Sequence, residues 1–367
     1  MTDEQKYSIA FSMLRGINGN TARTLLQRVG SAKAFFEFKP NELALLTGSN
    51  SDIFSNDYRQ KVLADAEREA NFIEINKIRH FFITDADYPR RLENCDDCPT
   101  MAYALGRCDF GCRHTVGIVG TRHATNYGIE FTHHLVADLA KLIPGICIVS
   151  GLAYGIDVAA HQAALDAGTP TVGVLAHGLN MIYPAEHRSV AAKMVESGGG
   201  LVTEYPSSAK IYKQNFLKRN RIVAALSDAL VVVESDYRGG SLSTARIASL
   251  YNRDVFAVPG RVTDTYSRGT NALIANNTAA VITSADDLVK QMGWATAPVP
   301  EQPRLFTPLT PELQQILDCI AANPEVTAND LCVRLGISFA TLTDRLFRLE
   351  MEEAIATLPG GRFAVHR

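Results

Sequence analysis

Six short runs between residues 115 and 258 are apolar at consecutive positions: Thr115-Val-Gly-Ile-Val119, Ile146-Cys-Ile-Val149, Thr171-Val-Gly-Val-Leu175, Leu201-Val202, Ala229-Leu-Val-Val-Val233 and Asp254-Val-Phe-Ala-Val258. A strand with one face in water alternates apolar and polar residues, so runs without alternation belong to strands covered on both faces. Helical patterns separate the runs, and strand–helix alternation is how a parallel sheet gains a helix layer on each side. The pattern predicts a doubly wound α/β fold with a mostly parallel sheet. Ligands of such folds bind beyond the carboxyl ends of the strands, so the chemistry is to be sought there.

The chain has 367 residues, too many for one compact core. Residues 1–80 alternate short helical patterns with small loops, as in Leu14-Arg-Gly-Ile-Asn-Gly-Asn-Thr-Ala-Arg-Thr-Leu-Leu26, where a glycine-bearing turn joins two apolar-periodic segments. Residues 81–293 hold the apolar strands. Ala297-Pro-Val-Pro-Glu-Gln-Pro303 cannot continue a helix and predicts a linker over 294–307. Residues 308–367 carry two helical patterns opened by the capping residues Thr327 and Ser338, then two short strands around a Gly-Gly turn. That is the pattern of a winged helix.

Net charge is −3, from 36 Lys+Arg against 39 Asp+Glu, so nucleic-acid binding has to come from a local patch. No apolar run approaches the roughly 18 residues of a membrane span. The start, MTDEQKYSIAF, has acids where a secretory signal is basic and then apolar. A cytoplasmic protein without a membrane partner is expected. The seven cysteines are an odd number, which argues against a disulfide framework. Cys95, Cys98, Cys108 and Cys112 have a spacing compatible with a zinc thiolate site. The intervening MAYALG reads as a buried strand, however, and no turn glycine lies inside the first pair. Unlinked reduced thiols are the preferred reading, and no metal or cofactor is assigned.

The first run leads into Gly120-Thr-Arg-His-Ala-Thr125-Asn-Tyr-Gly128, which lacks the GxGxxG that seats a pyrophosphate. It offers instead a glycine, the hydroxyl of Thr121, and Arg122, whose forked donors suit a phosphate. The second leads into Ser150-Gly-Leu-Ala-Tyr-Gly155-Ile-Asp157, where Gly151 and Gly155 permit close backbone approach and Asp157 is placed to cap the next helix. After Val233 come Glu234 and then Arg238-Gly-Gly240-Ser241, another helix start with free amides suited to an anion. The strongest charge signal is Lys210, Lys213, Lys218, Arg219 and Arg221, with Tyr205, Tyr212 and Phe216 interleaved and no acid before Asp228. A solvated helix face over core aromatics would give a similar run. Alongside the first two of these loops, the alternation of cations and rings favours a single nucleic-acid strand. His161, set among alanines, reads as a packing histidine. Glu204 has no partner base or nucleophile spaced beside it, and no HExxH, GxSxG or P-loop GKS/T occurs, so no catalytic residue is assigned.

Long segments, in order, resemble the DNA-processing protein A family (DprA, also called Smf): GIVGTRHATNYG, SGLAYGIDVAAHQAAL, NMIYPAEH, TEYP, FLKRNRIVAALSDALVVVE, GGSLSTARIA and RDVFAVPG followed by SRGTNALI. The similarity runs through essentially the whole chain. It implies a Rossmann-like core that binds single-stranded DNA without strong sequence preference. It further implies a homodimer that shields incoming strands, helps load the RecA recombinase in natural transformation, and is not an enzyme. By position, Arg122 would contact phosphate, and Lys213 and Phe216 would be the cation and stacking ring. Arg219, Asn220 and Arg221, with Ser150 and Gly151, would line the same pocket. Gly120, Thr121, Gly155, Gly240 and Ser241 complete the expected DNA-binding set. Residues 1–80 are similar to a sterile-alpha-motif-like or helix-hairpin-helix domain. The chain departs from the family pattern at Thr121 and Thr203, where serine is usual, and at Asn276-Asn-Thr-Ala-Ala280, where Gly-Ala is usual.

Two rival readings remain. Gly239-Gly240-Ser241 followed by Thr244 is a distant echo of nucleoside monophosphate phosphoribohydrolases, but Ser-Leu-Ser-Thr-Ala-Arg supplies no glutamate after the turn. A transcription factor built on the C-terminal domain meets the wrong charge: residues 308–367 hold five Lys+Arg and eight Asp+Glu. That domain is expected to mediate protein contacts or modulate assembly, with an inert appendage as the alternative, leaving strand binding to the core.

Overall fold

Two strands, β1 (Arg79–Phe82) and β2 (Met101–Gly106), precede the apolar runs. The runs themselves form β3 (Thr115–Val119), β4 (Cys147–Ser150), β5 (Thr171–Val174), β6 (Gly200–Thr203), β7 (Ala229–Val232) and β8 (Asp254–Ala257), and a short β9 (Ala280–Val281) follows. All nine join one sheet in the order β1-β2-β6-β5-β4-β3-β7-β8-β9. Every pairing from β6 across to β9 is parallel; only β1–β2 and β2–β6 are antiparallel. The structure, a computed structural model, describes residues 1–48, 50–295, 310–323, 326–351, 354–358 and 361–365. It divides into two units, residues 1–298 and 299–367.

The lack of polar alternation has the expected cause. On one face Val116, Ile118, Ile148, Val231 and Phe256 pack with Leu135, Val136 and Leu139 of the helix Asn126–Leu142 and Leu288 of Ala285–Gln291. On the other, Val119, Val149, Leu230 and Val232 meet Ile222, Val223 and Leu226 of the helix Lys213–Leu226, with Ala245 and Ala248 of Gly240–Leu250. The chain winds outward from β3 through β4 and β5 to β6, then crosses back to β7 and continues to β8. The loops leaving β3 and β7 therefore diverge and leave a crevice at their carboxyl ends.

The N-terminal helices are not set off by a linker. Asn18 Oδ1 accepts from Thr21 N (3.0 Å) and starts the helix Gly19–Val29, which follows the helix Asp3–Ser12 across the glycine-bearing turn. Phe11 packs edge-on to Phe35 (5.4 Å) and to Phe82 of β1 (5.9 Å). One apolar core runs from these helices into β1 and β2, and the expected boundary near residue 80 falls inside β1. MAYALG is indeed a buried strand, β2. All seven cysteines are free, and among the described residues no group of three or more His, Cys, Asp or Glu could hold a metal. No helix among them is long and apolar enough to cross a membrane.

The second unit has helices Pro311–Ala322, Ala328–Leu335 and Phe339–Met351, with strands β10 (Val326–Thr327), β11 (Ile355–Leu358) and β12 (Arg362–Val365) in the order β10-β12-β11. Thr327 caps its helix in a reciprocal pair with Asp330, and Ser338 Oγ accepts from Thr341 N (3.3 Å). This is the winged helix that the two capping residues foretold. The linker expected over 294–307 lies outside the described residues except for Trp294 and Ala295. The Trp294 ring rests on His114, with ring centroids 4.4 Å apart.

Candidate nucleic-acid interface

The loops that leave β3, β4 and β7 are fastened to one another by backbone groups. Thr121 N donates to the Glu234 carbonyl (2.7 Å), and Ile156 N donates to the Thr121 carbonyl (3.2 Å). Two glycines make this approach possible. A Cβ at Gly120 would lie 2.5 Å from Ile156 Cγ1, and Gly155, at φ +74°, would drive one into the Thr121 carbonyl. Gly120, Thr121 and Gly155 thus hold the crevice together.

At the start of the helix Asn126–Leu142, where a Rossmann dinucleotide would place its pyrophosphate, this protein places its own carboxylate. Glu234, only 3% exposed, accepts from Thr125 N (2.9 Å) and Thr125 Oγ1 (2.6 Å). Gly128 leaves the room, since a Cβ there would collide with the Glu234 carboxylate.

What remains open is a pocket lined by Arg122, Gly151, Ala153, Tyr154, Leu175, Ala176, Tyr183, Pro184 and Phe216. The Arg122 guanidinium lies over the Phe216 ring, 5.7 Å from its centroid, a geometry in which the ring quadrupole attracts the cation. Phe216 in turn meets Tyr183 edge-on at 5.7 Å. Arg122 is exposed and forms no ion pair among the described residues. Lys213, also exposed, begins the helix that carries Phe216 one turn later. Tyr154 OH donates to Glu186 Oε2 (3.0 Å) at the far rim. The Glu186 carboxyl is held below its usual range by hydrogen bonds, first from its own backbone and then from Tyr154.

The other expected residues occupy different environments. Ser150 is fully buried, and its Oγ donates to the Ile118 carbonyl (2.6 Å). Arg219 runs beneath the pocket floor, 4% exposed, with Nη1 3.9 Å from Asp157 Oδ2. Its guanidinium lies against Gly151, where any Cβ would collide with it. Asp157 does not cap the helix Ile156–Asp166, whose N-cap is Gly155. Burial raises its pKa, while Arg219 and the Ala153 and Gly151 backbones pull it back. Asn220 is half-buried. Arg221 pairs with Glu204 and lies 3.8 Å from Asp97, lining a separate cleft of about 520 Å³ with Tyr205 and Lys218. Ser241 Oγ donates to Ser235 Oγ (2.8 Å), and Gly240 is exposed at a helix start beyond β7. Of the expected set, the pocket therefore unites Arg122, Gly151 and Phe216. Tyr154, Tyr183 and Pro184 join them, though no role was assigned to them in SGLAYG and NMIYP. A lone aromatic at each strand-end loop is the only signal that marks them.

His161 is fully buried, with Nδ1 2.7 Å from Thr171 Oγ1. That hydroxyl donates to the Ile148 carbonyl (2.9 Å), so Nδ1 carries the proton and Nε2 is left without a partner. Burial first, then Arg219, depress its pKa from 6.5 to about 3. Between these two values the unfolded chain takes up a proton that the folded chain refuses. His161 therefore lowers stability as pH falls through that window, by on the order of 4 kcal/mol at the acid end. Asp157 and Glu204, raised by burial, tilt the curve the other way, so the comparison needs a variant. Urea unfolding of His161→Asn should lose less stability than the parent between pH 7 and pH 4; parallel curves would refute the assignment.

A Rossmann-like core whose dinucleotide seat is filled by its own glutamate, with a cation-and-ring pocket beside it and a winged helix in the same chain, defines a DNA-processing class of protein. The chain belongs to the family described as DNA recombination-mediator protein A, whose model matches residues 79–293, and the DprA winged helix domain matches residues 300–361. It is 33% identical over 294 residues to protein Smf of Escherichia coli, covering 78% of each chain. Its fold is similar to that of DNA processing protein A from Streptococcus pneumoniae, with a TM-score of 0.64 and 28% identity over 79% of this chain and 98% of that one. It is also similar to DNA processing protein A from Helicobacter pylori, described with its single-stranded DNA binding mode. There the TM-score is 0.53 and identity 30%, over 59% of this chain and 95% of that one.

Proposed function

We propose that this protein binds single-stranded DNA, without base preference, in the pocket where β3, β4 and β5 end. It then presents the strand to a RecA-type recombinase, acting as a cytoplasmic homodimer that catalyses no reaction. The observation that carries the reading is the exposed Arg122 guanidinium over the Phe216 ring, with no ion pair among the described residues. A phosphate can meet the cation while an unpaired base stacks on the adjoining rings. The strand-binding relative from Helicobacter pylori supports it. Catalysis finds no support in the residues that would have to perform it. Glu234 is engaged by the N-cap residue Thr125, Glu204 pairs with Arg221, and His161 is buried and neutral.

Comparing single- and double-stranded oligonucleotides in a gel shift tests the reading, with a salt titration beside it. Each phosphate contact should contribute a slope of about −0.7 in log K against log salt. Oligo-dT should bind tightly with a steep slope. A flat line, or preference for duplex, would sink the proposal, and release of free base from a nucleotide panel would establish an enzyme instead.

The winged helix is assigned to protein contacts. On its third helix Arg348 is paired with Asp344 (3.3 Å), while Phe339, Phe347 and Met351 are exposed. Arg345 adds a cation to the same helix, but residues 308–367 as a whole hold five Lys+Arg against eight Asp+Glu, the wrong sign for gripping a duplex. Truncation after Ala295, which retains the Trp294–His114 contact, should leave oligo-dT affinity within a few-fold of the full chain. A hundredfold loss, about 2.7 kcal/mol, would move the binding surface to the wing.

A further inference from the structure

From the Arg122–Phe216 pocket, ring and backbone contacts continue in one direction. The neighbouring His123 stacks on Tyr266 with ring centroids 6.2 Å apart and planes 24° apart. The Tyr266 carbonyl accepts from Ser235 N (2.6 Å), and the Ser235 carbonyl accepts from Gly269 N (2.8 Å). Gly269 permits this closeness, since a Cβ there would lie 2.7 Å from the carbonyl oxygens of Ser235 and Asp236. The loop after β8 is thereby fastened to the loop after β7, next to the loop after β3. On this joined surface Arg238 and Arg268 are exposed, and neither guanidinium has a hydrogen bond or ion pair among the described residues. Tyr237 beside them is 64% exposed. The acids there are Asp236, which accepts from Tyr237 N (2.7 Å), and Asp264, exposed beyond Tyr266.

We propose that His123, Tyr266, Arg238 and Arg268 form a second segment of the single-strand track, carrying DNA onward from the pocket across the ends of β7 and β8. The inference rests on the single-strand reading above and extends it. Stacked rings beside unpaired guanidinium groups repeat the chemistry of Arg122 and Phe216, and a base can stack on such rings only when it is unpaired. Direction follows from charge. On the opposite rim Glu186 is held ionised beside Tyr154 and repels phosphate, whereas the β7–β8 side offers two cations with no partner among the described residues.

The full chain should be titrated with oligo-dT of about four nucleotides, enough for the pocket alone, and of about twelve, both within the range of single-strand site sizes. Tyr266→Ala combined with Arg268→Ala should leave the short oligonucleotide within twofold and weaken the long one about tenfold. The salt slope for the long one should flatten by about 0.7, because one phosphate then has no cation to meet. Arg268→Glu, a surface change with no packing role, should weaken the long oligonucleotide alone and guards against misfolding of the double variant. Equal losses on both lengths, or none on either, would overturn the second segment while leaving the pocket intact. Failure of the parent protein to bind either length would instead overturn the single-strand reading, and this inference with it.

Discussion

Arg122→Ala combined with Phe216→Ala should weaken oligo-dT binding a hundredfold or more, about 2.7 kcal/mol. Removing a stacking ring costs about 1–3 kcal/mol per base, and a charge-assisted hydrogen bond to phosphate contributes about 1.5–3 kcal/mol. Because the guanidinium lies over the ring, the two losses overlap, and the double variant should fall short of their sum. The loss should be equal for dT, dA and mixed sequences, since phosphates and ring faces carry no base identity. Arg122 is exposed and forms no ion pair among the described residues, so any loss of thermal stability should come from truncating the half-buried Phe216 ring and should be matched by Phe216→Ala alone. A loss below threefold would remove the pocket from the binding surface.

The second large effect is on stability. Asp157→Ala should cost about 3–5 kcal/mol, the range for removing one partner of a buried ion pair. Arg219 would be left 4% exposed with no opposing charge, and its Nε already lacks a partner. The Gly151 and Ala153 backbones would lose an acceptor as well. Replacing both members, Asp157→Asn with Arg219→Met, should recover part of the loss, because no uncompensated charge then remains. Denaturant midpoints of the three proteins decide it. If Asp157→Ala alone unfolds like the parent, the pair does not hold the pocket floor.

The contrast between Arg122 and Arg219 shows where sequence reasoning reached and where it stopped. The parallel sheet was legible because β3, β7 and β8 bury both faces and carry no polar alternation, and the winged helix because Thr327 and Ser338 are caps with visible partners three residues on. Arg122 and Phe216 were legible from their types and places near strand ends. Residue type, however, does not reveal which way a side chain faces. Phe216 and Arg219 are three apart on one helix, yet the ring borders the pocket while the guanidinium runs under Gly151. Arg221 lies in the same basic run and is held by Glu204 from the end of β6, a pairing that only the fold creates. Asp157 had the type and position of a helix cap, but Gly155 took that place and left its carboxylate to serve the loop. Ser150 and Ser241 have hydroxyls suited to phosphate, and each is engaged within the protein.

The carboxylate of Glu234 at the head of the helix Asn126–Leu142 bears on selectivity inside a cell crowded with free nucleotides. A mononucleotide gains most of its hold on a fold of this kind from amides at one helix start, and here a carboxylate already stands there, accepting from the N-cap amide and hydroxyl of Thr125. What is left is a row of single cations and single rings, each too weak to retain a monomer. Linked nucleotides engage several at once, with each attached unit raising the effective concentration of the next. On the proposed reading, a fixed negative charge at that helix start would turn away free nucleotides, and chain length rather than chemical identity would decide what is retained.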